Sequence, residues 1–140
     1  MDGEKKKIKL LTNKADTIDE ELIIFKESPD DQDMVLLEMT VEGQKISCSS
    51  DNFFAALIDL RSELEKRGIQ ILCNGAAKNV YPSPMQLSMG YVKKAYKIYL
   101  GQQARNSETV DIFEYEEDLM FTSIEKQSKF HDEWIKSIMG

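Results

Sequence analysis

The sequence predicts an α+β domain, residues 1–140, with a mostly antiparallel sheet of about five or six strands and two packed helices. Three observations carry that prediction. Strand-like runs follow one another without an intervening helix in the first third of the chain. Two longer segments repeat apolar residues at helical spacing, and a pair of alternating runs falls between them. Successive strands exclude a doubly wound nucleotide fold, which needs strands that alternate with helices. At 140 residues the chain has the commonest size for one domain. Such a domain buries roughly two-thirds of its unfolded surface and needs no disulfide staple.

The elements follow in order. "KIKLL" around Ile8 reads as an edge strand whose alternating lysines discourage edge-to-edge association. "ELIIFKES", Glu21 to Ser28, is a short apolar run closed by Pro29 and the acidic turn Asp30, Asp31 and Asp33. "MVLLEMTVEGQKISCS" places β-favouring residues on both sides of Glu42-Gly43, which predicts a hairpin with Gly43 at positive φ. The first helix is expected over Asp51 to Arg67. Phe53, Leu57, Leu60 and Leu64 form its stripe, Phe54 and Ile58 widen it, Ser50 or Asp51 caps it, and Gly68 ends it. "IQILC" then reads as a strand.

"CNGAAKNVYPSPMQLSMG", Cys73 to Gly90, interrupts this regularity with prolines, glycines and exposed-type apolar residues. After it, "VKKAYKIYL" and "VDIFEYE" alternate and predict antiparallel neighbours, joined by the polar "GQQARNSET". A second helix is expected over Ser123 to Met139. Thr122 and Glu125 have capping-box spacing, and Ile124, Phe130, Trp134, Ile135 and Ile138 supply the stripe.

Composition limits the chemistry. No apolar run reaches the roughly 18 residues of a membrane span, and the lysine-rich N-terminus lacks a signal-peptide h-region, so a cytoplasmic protein is expected. Cys48 and Cys73 are too few for a disulfide framework, and the single histidine, His131, leaves zinc sites without ligands. No metal or cofactor is expected, and no phosphate-binding glycine motif occurs. A formal charge of −7 argues against nucleic acid as a partner and fits either a self-repelling soluble domain or one that meets a basic protein.

Candidate reactive groups are few. Cys73 ends a strand, where catalytic residues are often presented, so a thiol-dependent enzyme or sulfur carrier is one alternative; a generic regulatory or scaffold domain is another. His131 falls on the helical stripe and is expected to pack there. Asp111, Glu114, Glu116, Glu117 and Asp118 form an acidic end to the last strand, read as a solvated edge and not as an acid-base pair. The loop admits two readings, a plug folded against one end of the sheet or a preorganised recognition surface. For the second, Pro82 and Pro84 lower the entropy of ordering, and Tyr81 and Met85 suit a partner-facing patch.

The stretch "GIQILCNGAAKNVYPSPMQLSMGYVKKAYKIYLGQQARNSETVDIFE" with the later "QSKFHDEWIKSI" resembles small bacterial immunity proteins, encoded beside polymorphic or contact-dependent toxins. The likeness is clearest from Arg67 to Phe113. It implies a non-enzymatic antitoxin whose partner is a cognate toxin, often a basic nuclease. Combined with the charge balance, it leads to an expected division of labour. Asp111, Glu114, Glu116, Glu117 and Asp118 would steer the partner, and Tyr81 and Met85 would make desolvated contact.

Overall fold

The computed structural model describes residues 3–89 and 93–139. Strands β1 (Glu4–Leu11), β2 (Thr17–Phe25), β3 (Val35–Val41) and β4 (Gln44–Ser50) precede helix α1 (Phe53–Glu65) and the short β5 (Gln70–Leu72). They form a curled antiparallel sheet in the order β4-β3-β2-β1-β5. Alternation does the sorting. Ile8 and Leu10, Leu22 and Ile24, Leu37 and Met39, and Ile46 and Cys48 fall on one face and are buried there. That face receives Phe53, Leu57, Leu60 and Leu64 of α1, each fully buried, so helix period and strand period meet in one core.

The β3–β4 hairpin turns on two residues, Glu42 at φ 51° and Gly43 at φ 79°, the pair of positive values a tight two-residue turn requires. Gly43 takes the positive φ expected of it, and Glu42 shares that conformation. A departure concerns β1, which is interior: β2 pairs its full length and β5 pairs Lys9–Leu11. The lysines spaced along β1 therefore mark its solvent face and not a sheet edge.

Helix α1 is capped by Asn52, whose side-chain oxygen accepts the Ala55 N–H at 2.7 Å. Ser50 cannot do this because it still belongs to β4. At the other end Gly68, at φ 72°, lets its N–H reach Glu65 O and the Ile69 N–H reach Leu64 O, a double closure that positive φ makes possible.

The predicted loop is largely ordered structure. A 3₁₀ turn at Asn74–Ala76 leads to β6 (Val80–Tyr81) and to α2 (Pro84–Ser88), where Ser83 and Gln86 form a reciprocal capping box. β6 pairs β7 (Lys94–Lys97), which pairs β8 (Thr109–Asp111), giving a second, three-stranded antiparallel sheet. The expected pairing of the two alternating runs is thus present, but in a separate sheet. Gly90 and Val92, assigned from sequence to the loop end and the strand start, lie outside the described residues.

One face of this small sheet presents Val80 and Ala95 to the core, where Phe113 meets Phe53 edge-on at 5.8 Å. Its other face meets α3 (Ile124–Met139). The α3 cap is Ser123, whose hydroxyl accepts the Lys126 N–H at 3.3 Å, in place of Thr122. Glu65 of α1 adds a carboxylate that accepts the Ile124 N–H at 2.9 Å, a charge placed where the helix dipole favours it.

Candidate partner-binding surface

The site begins with a buried polar anchor. Arg61 lies on the α1 stripe and is 1% exposed. Its guanidinium donates to Gln127 Oε1 at 2.5 Å, to Thr122 O at 3.0 Å and to Gly75 O at 3.3 Å. Gln127, the buried residue of α3, shares its amide N–H groups among Gly75 O, Ala77 O and Val80 O at 2.8 to 3.0 Å. Burial holds the Arg61 pKa below its ordinary value. This network joins α1, the 3₁₀ turn, β6 and α3, and it explains the close packing at Gly75. A Cβ there would lie 2.5 Å from Leu57 Cδ2 and 3.0 Å from Ile112 Cβ.

The first half of the loop is therefore a plug: Cys73, Ala76, Ala77 and Val80 are fully buried. The second half rises to the surface. Tyr81 packs edge-on against Phe54 at 5.0 Å and stacks on His131 at 3.7 Å with an interplanar angle of 14°. His131 in turn lies 5.9 Å from the Trp134 ring, and Trp134 Nε1 donates to Gln102 O at 2.8 Å. Tyr81, Pro82, Pro84, Tyr96, His131 and Trp134 are the principal walls of an apolar slot of about 80 Å³. Each ring is held by a neighbour or by a proline, so the slot is preorganised.

Met85 follows Pro84 of the slot wall in the chain and is 73% exposed. Tyr81 is half-buried and contributes a ring wall instead of a free anchor. His131 packs on the helix stripe as the spacing predicted, and burial lowers its pKa. Asp132 is the charge that most opposes this shift, and burial together with the same carboxylate raises the Tyr81 phenol.

The predicted acidic run is divided. Asp111 Oδ1 accepts the Phe113 N–H at 2.8 Å and shapes the turn after β8. Glu114 pairs with Lys6 at 2.8 Å. Glu116 pairs with Lys97 at 2.8 Å and accepts from Asn74 Nδ2 at 3.0 Å. Glu117 and Asp118 are exposed, with no ion pair among the described residues. Three of the five carboxylates thus have structural partners, and two remain to act on solvent and on whatever approaches.

Sequence reasoning missed Arg61, Gln127, Tyr96 and the walling role of Trp134. A readable signal existed for the first two: each is a polar residue set on an apolar helical stripe, between Leu57 and Leu64 or between Ile124 and Trp134. Tyr96 and Trp134 face each other only through tertiary folding, which no spacing rule encodes.

Neither cysteine sits in a setting that forms a thiolate. Cys73 is completely buried, and burial pushes its thiol up to about 12. Burial, with Asp59 and Glu63 nearby, pushes Cys48 up to about 11. Among the described residues no helix is long and apolar enough to cross a membrane, and no group of His, Cys, Asp and Glu has metal-binding geometry. No protein-family model matches this chain, and no curated protein shows a significant match to it.

Proposed function

We propose that this chain is a cytoplasmic, non-enzymatic immunity protein that binds and neutralises a cognate bacterial toxin of basic character, a nuclease being the simplest case. The observation that carries the reading is the rigid aromatic and proline slot beside exposed Met85, on a chain whose formal charge is −7. Aromatic and methionine side chains gain much from desolvation at small entropy cost, and acidic surroundings accelerate encounter with a basic partner. The resemblance of the 67–113 region to immunity proteins supplies the biological class.

In this reading Glu117 and Asp118 carry most of the steering, with Asp132 beside the slot. Tyr81 supports the contact surface and Met85 enters it. A thiol-based activity draws no support from Cys73, whose sulfur is buried and protonated at neutral pH.

Co-expression with the product of the adjacent upstream gene tests the reading. A stable complex should co-purify, and expression of this chain should restore growth to cells making that product; Cys73→Ser should protect equally well. Absence of both the complex and the protection would remove the immunity assignment.

A further inference from the structure

The five-stranded sheet ends in an unusual way. β4 is a full-length strand of 7 residues with β3 as its one neighbour in the sheet, whereas the opposite edge is the 3-residue β5. In a hairpin closed by a two-residue turn, the flanking pair exchanges hydrogen bonds and every second pair does so again. Val41↔Gln44, Met39↔Ile46 and Leu37↔Cys48 are those pairs here. The backbone N–H and C=O of Lys45, Ser47 and Ser49 consequently point away from β3.

No bulge, proline or inward-facing charge interrupts β4, and its one charged side chain, Lys45, pairs with Glu38 at 3.3 Å, so few of the devices that blunt an edge are present. Beside it runs an open groove of about 390 Å³ lined by Ser47, Cys48, Ser49, Asp59, Ser62 and Glu63. Asp59 and Glu63 lie one helical turn apart on α1, so both carboxylates border the groove. Glu63 also pairs with Lys66 at 2.9 Å, on the exposed surface, and Asp59 makes no ion pair among the described residues.

We propose that β4 accepts an extended segment of a partner protein as a sixth strand, with a basic side chain of that segment seated between Cys48 and the Asp59/Glu63 face of α1. The geometry sets the register. Residues opposite Lys45, Ser47 and Ser49 exchange backbone hydrogen bonds with them. The residue opposite Cys48 shares its face and points over α1, where Asp59 favours a lysine or arginine. A second copy of this chain is a poorer occupant, because antiparallel β4 pairing would bring two sets of Asp59 and Glu63 together across the edge. The proposal is separate from the immunity reading, since it concerns a different surface and holds for any partner that offers such a segment.

The test uses the full chain and blocked peptides of about seven residues, an ordinary strand length, alternating threonine and valine with lysine or glutamate at the centre. Amide hydrogen exchange and chemical shifts followed by NMR should show protection at Lys45, Ser47 and Ser49 on adding the lysine peptide. Ile46 and Cys48 amides, already bonded to β3, should change little. The lysine peptide should bind about fivefold more tightly than the glutamate peptide, the scale of two partly exposed charge contacts. Asp59→Asn/Glu63→Gln should erase that preference. Ser47→Pro, which removes an outward N–H, should abolish binding with the β3 pairing intact. No protection at saturating peptide, equal affinity for both peptides, or concentration-dependent protection without peptide would each overturn the proposal.

Discussion

The two halves of this domain are held by different kinds of force. From Glu4 to Leu72 the chain is a meander of hairpins closed by one helix, and apart from Arg61 its interior is dominated by aliphatic and aromatic side chains at strand and helix period. From Cys73 to Met139 the elements other than α3 are short, and they meet the first half at a polar point: Arg61 of α1 and Gln127 of α3 bind the carbonyls of Gly75, Ala77, Val80 and Thr122. The hydrophobic half derives stability from many contacts of small individual worth. The other half concentrates it in a few hydrogen bonds that are costly to leave unmade.

That contrast can be broken by substitution. Gln127→Leu removes an acceptor of a buried guanidinium and takes the amide donor from three carbonyls, of which Gly75 O keeps Arg61 and Ala77 O keeps the Val80 N–H, with an expected loss of about 4 kcal/mol. Leu37→Ala, in the centre of the main sheet, should cost about 3 kcal/mol through lost burial and the cavity left behind. The two should also differ in kind. In Gln127→Leu the fluorescence of Trp134, the single tryptophan, should change at lower denaturant than the far-ultraviolet circular dichroism, because α3 detaches before the sheet melts. In Leu37→Ala both signals should move together. Coincident transitions in Gln127→Leu would show that the polar anchor and the hydrophobic core are one cooperative unit.

A smaller effect sharpens the comparison at the surface of the second half. Burial depresses the His131 pKa below its unfolded value of about 6.5. The neutral ring is therefore favoured in the folded state, and the unfolded chain binds more protons in the window beneath that value. The contribution is fully present above about pH 6.5 and is lost as pH falls through the folded pKa. His131→Phe keeps a ring against Tyr81 and should flatten stability between about pH 7 and pH 5, read as the difference in denaturation midpoints. Screening at this half-exposed site keeps the effect small.

The same contrast explains what could be read from the sequence. The hairpin at Glu42-Gly43, helix α1 and helix α3 follow from turn chemistry and periodicity, which are local properties. The interior place of β1 depends on where β5 returns after α1, and that is a matter of topology. Met85 is exposed on the short α2, whereas Tyr81, expected like it to face a partner, is half-buried and stacked on His131, fifty positions away in the chain. Likewise the run from Asp111 to Asp118 looked like one acidic edge. Lys6 and Lys97, from distant strands, neutralise part of it.

In the proposed function, partner binding uses Glu117 and Asp118 for approach and the Tyr81–Met85 surface for retention. Stopped-flow measurement of association and dissociation for the purified pair, at two salt concentrations, tests it most directly. Glu117→Gln/Asp118→Asn should slow association and weaken its salt dependence, leaving dissociation near the parent rate. Met85→Ala, and Tyr81→Ala where folding is verified, should speed dissociation by about tenfold or more with association little changed. Parent salt dependence in the charge variant, together with parent dissociation in both truncations, would contradict the account and direct attention to the β4 edge.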